Sequence, residues 1–450
     1  MAKTRTVYRC TDCRSAAPKW AGRCDGCGEW NTMVEELEVR EAISAPLSPP
    51  STPQPMDEVT HEDAAARSTG LSEVDRVLGG GLVRGSVTLV GGEPGIGKST
   101  LLLQLLGAAA KTGLRGLYVS GEESAAQVRG RADRLLAVHP DVWLVAETLL
   151  PHIVGHLDEI KPDLVVIDSV QTLHDPVLAS APGSVAQVRE CAHTLVQHAK
   201  RAGTAVLLVG HVTKEGTLAG PRVLEHVVDT VLEFDGDRHH GLRVLRASKH
   251  RFGPTNEVGL LQMDGSGLTP VDDPSGLFLS DRVTGVSGSA IVPTVDGNRP
   301  LLIEVQALVA QSQLTNPRRS AQGIDQGRLA MLLAVIERRC GIAVMANDVY
   351  ALAVGGVRVT DPGADAAVAL AIVSSLTGQP LPDDLVVIGE VGLGGELRHV
   401  GHFERRLTES ARMGFRRAIV PKAATIDVPE LEILRAPTLA AAMALAGFVG

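Results

Sequence analysis

From residue 68 onward, short apolar runs bounded by turn residues alternate with longer stretches whose apolar positions recur at helical spacing. Residues 86–90, 116–120, 163–168 and 204–210 each read as a buried strand, and 101–110, rich in Leu and Ala, reads as an apolar helix. That alternation predicts a mostly parallel sheet covered by helices. Further on, 227–234 and 242–248 flank an Asp-Gly-Asp-Arg-His-His-Gly stretch that predicts a hairpin loop. This first α/β unit is expected to end near residue 272. Beyond it, 287–295 and 301–309 have strand patterns, 326–339 an amphipathic helical one, and the remainder alternates again, which predicts a separate α/β domain over 273–450. No tandem repeat is present.

The beginning of the chain differs. Residues 1–30 are rich in Cys, Gly and Trp, after which Glu35, Glu36, Glu38 and Glu41 lead into a proline-rich run from Pro46 to Pro55. Such a segment predicts a linker over 31–66, with the α/β unit spanning 67–272. At 450 residues and 44% hydrophobic, the chain can bury more than one core.

Charge and composition narrow the function. A net charge of −9 argues against a protein that coats nucleic acid by bulk positive charge, so any DNA contact must be a local basic patch. With aromatics at 3%, base stacking is a poor candidate for the binding mode. No uncharged apolar run is long enough to span a bilayer, which predicts a cytoplasmic protein without a membrane partner.

Four of the six cysteines fall in one segment, Cys10-x2-Cys13-x10-Cys24-x2-Cys27. Two CxxC pairs at this spacing predict a tetrahedral four-thiolate Zn²⁺ site in which the metal supplies most of the folding free energy. Cys191 and Cys340 sit alone in apolar surroundings and read as inert thiols. Arg14, Lys19 and Arg23 let the ribbon contact either nucleic acid or protein.

The nucleotide motif is Gly92-Glu93-Pro94-Gly95-Ile96-Gly97-Lys98-Ser99, followed by Thr100, and it lies between a predicted strand and a predicted helix. Glycines turn backbone N–H groups toward phosphate, Lys98 neutralises the β/γ oxygens of ATP, Ser99 ligates Mg²⁺ and Thr100 supports the α-phosphate. The buried run ending in Asp168 has the form of a Walker B strand, which orients Mg²⁺. Glu122 and Glu123, at the end of another strand, are candidates for the base that aligns water, Glu122 first. Ser120 could instead cap a helix whose first turn carries those acids.

The order P-loop, GEES, LVVIDS, VGHVTKEG and SKHRFG closely resembles the bacterial RadA (Sms) family of RecA-related recombination and repair ATPases. The resemblance covers nearly the whole chain. It implies an α/β multidomain protein with an N-terminal four-cysteine zinc ribbon, a RecA-like P-loop ATPase core and a C-terminal Lon-protease-like α/β domain. The family's KNRFG signature stands here as Lys249-His250-Arg251-Phe252-Gly253, with His in the Asn position. Lys249 and Arg251, two apart on one strand, would share a face suited to a neighbour's γ-phosphate or to DNA. The segment from His211 to Gly216 is similar to the γ-phosphate sensor and DNA loop of RecA-type motors. Lys214 and Arg222 would then contact DNA phosphates, with Arg189 on a companion loop.

The stretch from Leu385 to Lys422 resembles the Lon proteolytic domain, whose Ser nucleophile is activated by Lys. Here Ala364 or Asp365 falls at the serine position and Glu404 at the lysine position, so the fold is expected without peptide cleavage. Arg405, Arg406, Arg412, Arg416 and Arg417 could form a basic DNA-facing surface, or an ordinary charged helix face. Pro317-Arg318-Arg319 is another possible DNA contact.

The resemblance implies a DNA-dependent ATPase motor acting on single-stranded and branched DNA beside RecA, assembled as a homo-oligomeric ring, expected to be hexameric and nucleoid-associated. RecA or a replicative or repair protein would dock on the zinc module. An ATP-dependent protease and a nucleotide-switched scaffold are the competing readings.

Overall fold

A computed structural model describes residues 3–10, 15–17, 19–30, 32–40, 55–58, 65–211, 222–236 and 241–448. They belong to two compact units, Met1–His61 and Glu62–Gly450. In the first, β1 (Lys3–Cys10), β2 (Ala16–Ala17) and β3 (Met33–Arg40) form an antiparallel sheet in the order β2-β1-β3, with Cys10 opposite Met33. β3 runs through residues where the sequence suggests a linker. The period-two alternation of Glu36, Leu37, Glu38 and Val39 is a strand pattern that the acidic bias disguises.

The second unit opens with β4 (Ala66–Arg67) paired to β5 (Leu82–Val83) around α1 (Ser72–Val77). Its larger sheet holds β6 (Val87–Gly92), β7 (Gly116–Ser120), β8 (Val142–Ala146), β9 (Leu164–Asp168), β10 (Ala205–His211), β11 (Thr230–Gly236), β12 (Leu242–His250), β13 (Val258–Asp264) and β14 (Gly267–Pro270). The strand order is β14-β13-β12-β11-β6-β10-β9-β7-β8, parallel from β11 to β8 and antiparallel beyond β11. Helices α2 (Lys98–Lys111), α3 (Ala125–Arg134), α4 (Leu150–Ile160), α5 (Val185–Ala202) and α6 (Arg222–Glu225) link or follow the strands.

Both faces of the central strands are buried, which is why they read as continuous apolar runs. On β9, Leu164 and Val166 join a core with Leu102, Leu105 and Leu106 of α2, while Val165 and Ile167 join a second core with Ile153 of α4 and Leu195 of α5. The parallel registers bring Gly92 beside His211 and Ser120 beside Asp168, so the chemistry-bearing residues collect at the carboxyl ends of β6, β7, β9 and β10.

After α7 (Pro274–Leu279), a second sheet is built from β15 (Ser289–Asp296), β16 (Arg299–Gln311), β17 (Arg319–Gln322), β18 (Asn347–Ala353), β19 (Leu385–Val387) and, past the small pair β20 (Glu390–Val391) and β21 (Leu397–Arg398), β22 (Arg417–Pro421) and β23 (Glu432–Ala436). Its order is β17-β18-β16-β15-β19-β22-β23. Helices α8 (Gln326–Cys340), α9 (Asp365–Thr377) and α11 (Leu439–Leu445) pack in one core, and α10 (Phe403–Arg412) in another with Ile291, Leu302 and Val386.

The sequence predicts a separate domain from 273, yet the two sheets share a core. Leu242, Val258 and Leu260 pack with Ala290, Val292 and Ile303. The junction is also polar: Glu73, buried, accepts from the Leu260 amide at 2.7 Å and pairs with Arg299, which donates to the Val271 carbonyl at 2.9 Å.

Candidate active site and metal centre

β6 delivers Gly92 to the phosphate loop, and α2 begins at Lys98. Helices α3, α5 and α8 each have a Ser or Asp side chain closing the amino end. At α2 the cap is Gly97, with φ +114° and no side-chain acceptor, so the first amides remain available to an anion. A Cβ at Gly92 would lie 2.3 Å from the Phe234 carbonyl oxygen, and one at Gly97 2.4 Å from the Met263 methyl. The backbone carbonyl admits only glycine at position 92, and at 97 the positive φ favours glycine even where the Met263 tip could move aside. The buried Lys98 ammonium donates to the carbonyls of Gly92 at 2.7 Å and Glu93 at 3.0 Å. Burial pulls its pKa down, opposed by the nearby charges of Asp168 and Glu122. Ser99 and Thr100 complete the first turn.

Two hydroxyls organise the carboxylates opposite. Tyr118 on β7, 1% exposed, donates its phenol to Asp168 Oδ2 at 2.5 Å. Burial and the Asp168 charge push that phenol far above its ordinary range, with the Ser99 hydroxyl a weaker, opposing neighbour. Ser169, fully buried, donates to Glu122 Oε1 at 2.7 Å. Glu123 turns elsewhere and takes a 2.5 Å contact from the Arg131 guanidinium. Ser120, a possible helix cap from sequence, instead closes the tight turn to Glu123, accepting from its amide at 3.0 Å. The cap of α3 is Ser124. A lysine, two carboxylates and a serine hydroxyl around unclaimed amides suit a nucleoside triphosphate with Mg²⁺, a hard cation that takes oxygen donors.

On the other side of β6, Lys249 donates to the carbonyls of Glu225 and Val228 at 2.6 and 2.7 Å, tying β12 to the end of α6. Burial lowers its pKa, as does Arg251. The expectation that Lys249 and Arg251 share one strand face needs correction. β12 ends at His250 and its pairing with β11 shifts at Val231/Leu232, so Arg251 leaves the strand and points to Asp229 at 3.6 Å. His250, standing where the signature has Asn, shares a 2.9 Å hydrogen bond with Thr230 through Nδ1. Arg189 is exposed on α5. Lys214 and the Arg222 side chain lie outside the described residues.

In the amino-terminal unit, the sulfurs of Cys10, Cys24 and Cys27 all lie within 4.8 Å of one another, Cys10 and Cys27 at 3.6 Å. Zn–S bonds of about 2.3 Å in a tetrahedron put sulfurs about 3.8 Å apart, so the set fits zinc. Cys13, the fourth predicted ligand, lies outside the described residues. Arg23 braces the second knuckle, donating to the Gly28 carbonyl at 2.8 Å with its guanidinium 5.9 Å from the Trp30 ring centre.

These parts recur together in known proteins. Residues 8–35 match the rubredoxin metal binding domain, 50–217 the AAA domain and 347–438 the Lon protease (S16) C-terminal proteolytic domain. The DNA repair protein RadA of Mycolicibacterium smegmatis is 48% identical over 98% of this chain and 97% of its own. That of Pseudomonas aeruginosa is 50% identical over 94% of each chain, and that of Bacillus subtilis 46% identical over 95% and 94%. The chain belongs to the RadA family of DNA repair proteins. It joins a rubredoxin-like zinc ribbon, an AAA-type ATPase core and a Lon-type carboxyl-terminal domain. No helix among its described residues is long and apolar enough to cross a membrane.

At the position expected for the Lon serine this RadA chain has a buried carboxylate in an ion pair, and at the position expected for the lysine an exposed carboxylate. Ala364 and Asp365 are both buried, and Asp365 is gripped by Arg328 and by the Val391 amide at 3.0 Å. Burial raises the Asp365 pKa against those bonds. Asp361 pairs with buried Arg406 at 2.5 Å, and Arg406 also donates to the carbonyls of Pro293 at 2.8 Å and Gly401 at 2.9 Å. Glu404 is exposed.

The five-arginine DNA surface needs correction too. Arg406 is interior, Arg412 is taken by Asp273 and Glu409, Arg417 by Asp384, Arg405 donates to the Asn298 carbonyl at 3.1 Å, and Arg416 is exposed. Counting basic residues along α10 does not reveal acids that lie up to 139 positions away. Arg319 likewise spends its guanidinium on the carbonyls of Met345 and Asn347. Sequence reasoning also passed over Tyr118, Ser169 and Arg328. The first two had a signal, Tyr118 lying on the strand that leads into Glu122 and Glu123 and Ser169 following Asp168 directly; Arg328 had none.

Proposed function

We propose that this protein is a DNA-dependent ATPase of recombinational repair that moves along single-stranded and branched DNA and promotes branch migration during RecA-mediated strand exchange. The observation that carries the reading is the meeting of Lys98, Asp168 and Glu122 at one sheet edge in a chain akin to DNA repair proteins over nearly its full length.

The free amides at the start of α2 receive the phosphates, and Lys98 leaves its two loop carbonyls to neutralise the β/γ oxygens. Ser99 and Asp168 hold Mg²⁺, which when bound draws charge from the departing phosphate. Glu122, held by Ser169, orients the attacking water. Lys249 and Arg251 reach a neighbouring subunit's nucleotide or DNA, and Arg189, Lys214 and Arg222 contact the DNA backbone. A homo-oligomeric ring, hexameric by the family likeness, brings these groups together on the nucleoid. The zinc ribbon serves RecA or another repair protein as a docking module.

The test is ATP turnover without DNA, with single-stranded DNA and with forked DNA. Stimulation by either DNA is expected, and indifference to both would favour the nucleotide-switched scaffold instead. The ion pair at the expected serine position and the exposed Glu404 at the expected lysine position support a domain without proteolysis. Casein incubated with ATP and the protein should stay whole, and its cleavage would revive the protease reading.

A further inference from the structure

The groups assigned to the nucleotide's metal, Ser99 and Asp168, come from α2 and β9. β7 donates none of them, yet one of its side chains stands between two. Tyr118 donates to Asp168 Oδ2 at 2.5 Å, and the Ser99 hydroxyl is the phenol oxygen's other polar neighbour. The ring itself is packed with Leu164 and Val166 in the core beneath α2. Phenylalanine would fill that space equally well, so packing does not account for the hydroxyl. A hydroxyl buried there without an acceptor is costly, and the acceptor it has is the Walker B carboxylate.

The backbone fixes this contact from both sides. Ser120 is in register with Asp168, and the Gly121 amide donates to the Asp168 carbonyl at 2.7 Å. Gly121 has no room for a Cβ, which would meet Thr172 Oγ1 at 1.9 Å. The strands carrying phenol and carboxylate therefore close tightly just past the contact. Among the described residues, Tyr118 is the one side chain hydrogen-bonded to the Asp168 carboxylate.

We propose that Tyr118 is a positioning residue of the metal site: its phenol occupies Asp168 Oδ2 and sets the carboxylate's orientation, so that Oδ1 and the Ser99 hydroxyl are left to Mg²⁺. This deepens the nucleotide-site reading above and rests on it. Tyr118 touches neither nucleotide nor water in this scheme and acts through Asp168 alone.

The experiment uses the full chain and a fluorescent N-methylanthraniloyl ADP, titrated once in EDTA and once across Mg²⁺ concentrations. Tyr118→Phe should bind the nucleotide in EDTA within twofold of wild type, while the Mg²⁺ concentration for half-maximal tightening rises about tenfold, the scale of one hydrogen bond to a charged acceptor. An unchanged Mg²⁺ midpoint, or an equal loss of affinity with and without Mg²⁺, overturns the proposal; the second outcome is what a purely structural tyrosine would give.

A second measurement does not depend on that variant. The chain has three tyrosines, so Tyr8→Phe with Tyr350→Phe leaves Tyr118 alone to carry 3-fluorotyrosine. Its ¹⁹F resonance should move when Mg²⁺ joins bound ADP and should stay in place with ADP and EDTA. A resonance blind to Mg²⁺ overturns the proposal. Wild-type protein that binds no nucleotide at all would instead overturn the nucleotide site, and this inference with it.

Discussion

The two sheets of the larger unit bury charge to opposite ends. At the ATPase edge, Lys98 is buried on borrowed backbone carbonyls, facing two carboxylates it does not bond. At the corresponding place in the Lon-type sheet, every buried charge has a side-chain partner: Arg406 with Asp361, Arg328 with Asp365. A lysine resting on carbonyls can be drawn away by a phosphate. An arginine paired with a buried carboxylate cannot be recruited without stranding that charge. The contrast separates a site poised for a ligand from one converted into structure, although both lie in layered α/β folds.

The sharpest way to break this contrast is at the two lysine positions. Lys98→Ala should lower ATP turnover about 10³-fold, whereas Glu404→Ala, at the exposed Lon lysine position, should leave turnover within about twofold, both read in a phosphate-release assay. Next, Glu122→Gln should cost about 10²-fold in turnover and Glu123→Gln only a few-fold, because Glu123 is committed to Arg131; equal losses would erase the distinction. In the Lon-type half the effect moves from activity to stability. Arg406→Met should lower unfolding free energy by about 3–5 kcal/mol in urea titration, and adding Asp361→Leu should restore most of it, since an apolar pair replaces a buried ion pair at little net cost.

The smallest effect is in acid. Burial works to raise the Asp361 pKa, but Arg406, the Gly363 amide and Thr294 together hold it below the ordinary range. A depressed carboxylate adds stability that is complete above its unfolded pKa of about 3.9 and is lost as pH falls through the lower folded value. Wild-type protein should therefore lose stability below about pH 4, and Arg406→Met should show a flatter slope there by thermal melts.

Where local chemistry and fold agree, the sequence was easily read. Residues 116–120 were placed as a strand with its observed bounds, and 326–339 as the helix that runs one residue further, to Cys340. The P-loop stood out because glycine, lysine and serine at fixed spacing have few other uses. Strand β8 was missed although Val142-Trp143-Leu144-Val145-Ala146 is an uninterrupted apolar run; the half-exposed edge position it takes is set by the sheet and not by those residues. The shared core across residue 272 was missed because the outward faces of β12 and β13 look like any sheet surface until a second sheet covers them. The arginines of α10 misled for the same reason: their acids arrive through tertiary folding.

β12 reaches from Leu242, embedded in the interior of the Lon-type half, to Lys249 and His250 beside the ATPase's far rim, a rod of about 30 Å at strand rise. A pull on that ammonium is therefore a pull on a beam anchored in both halves. The irregular pairing around Ser248 is the only slack along β12's contact with β11. Either the beam flexes there, or a displacement at its Lys249 end is carried into the carboxyl-terminal half.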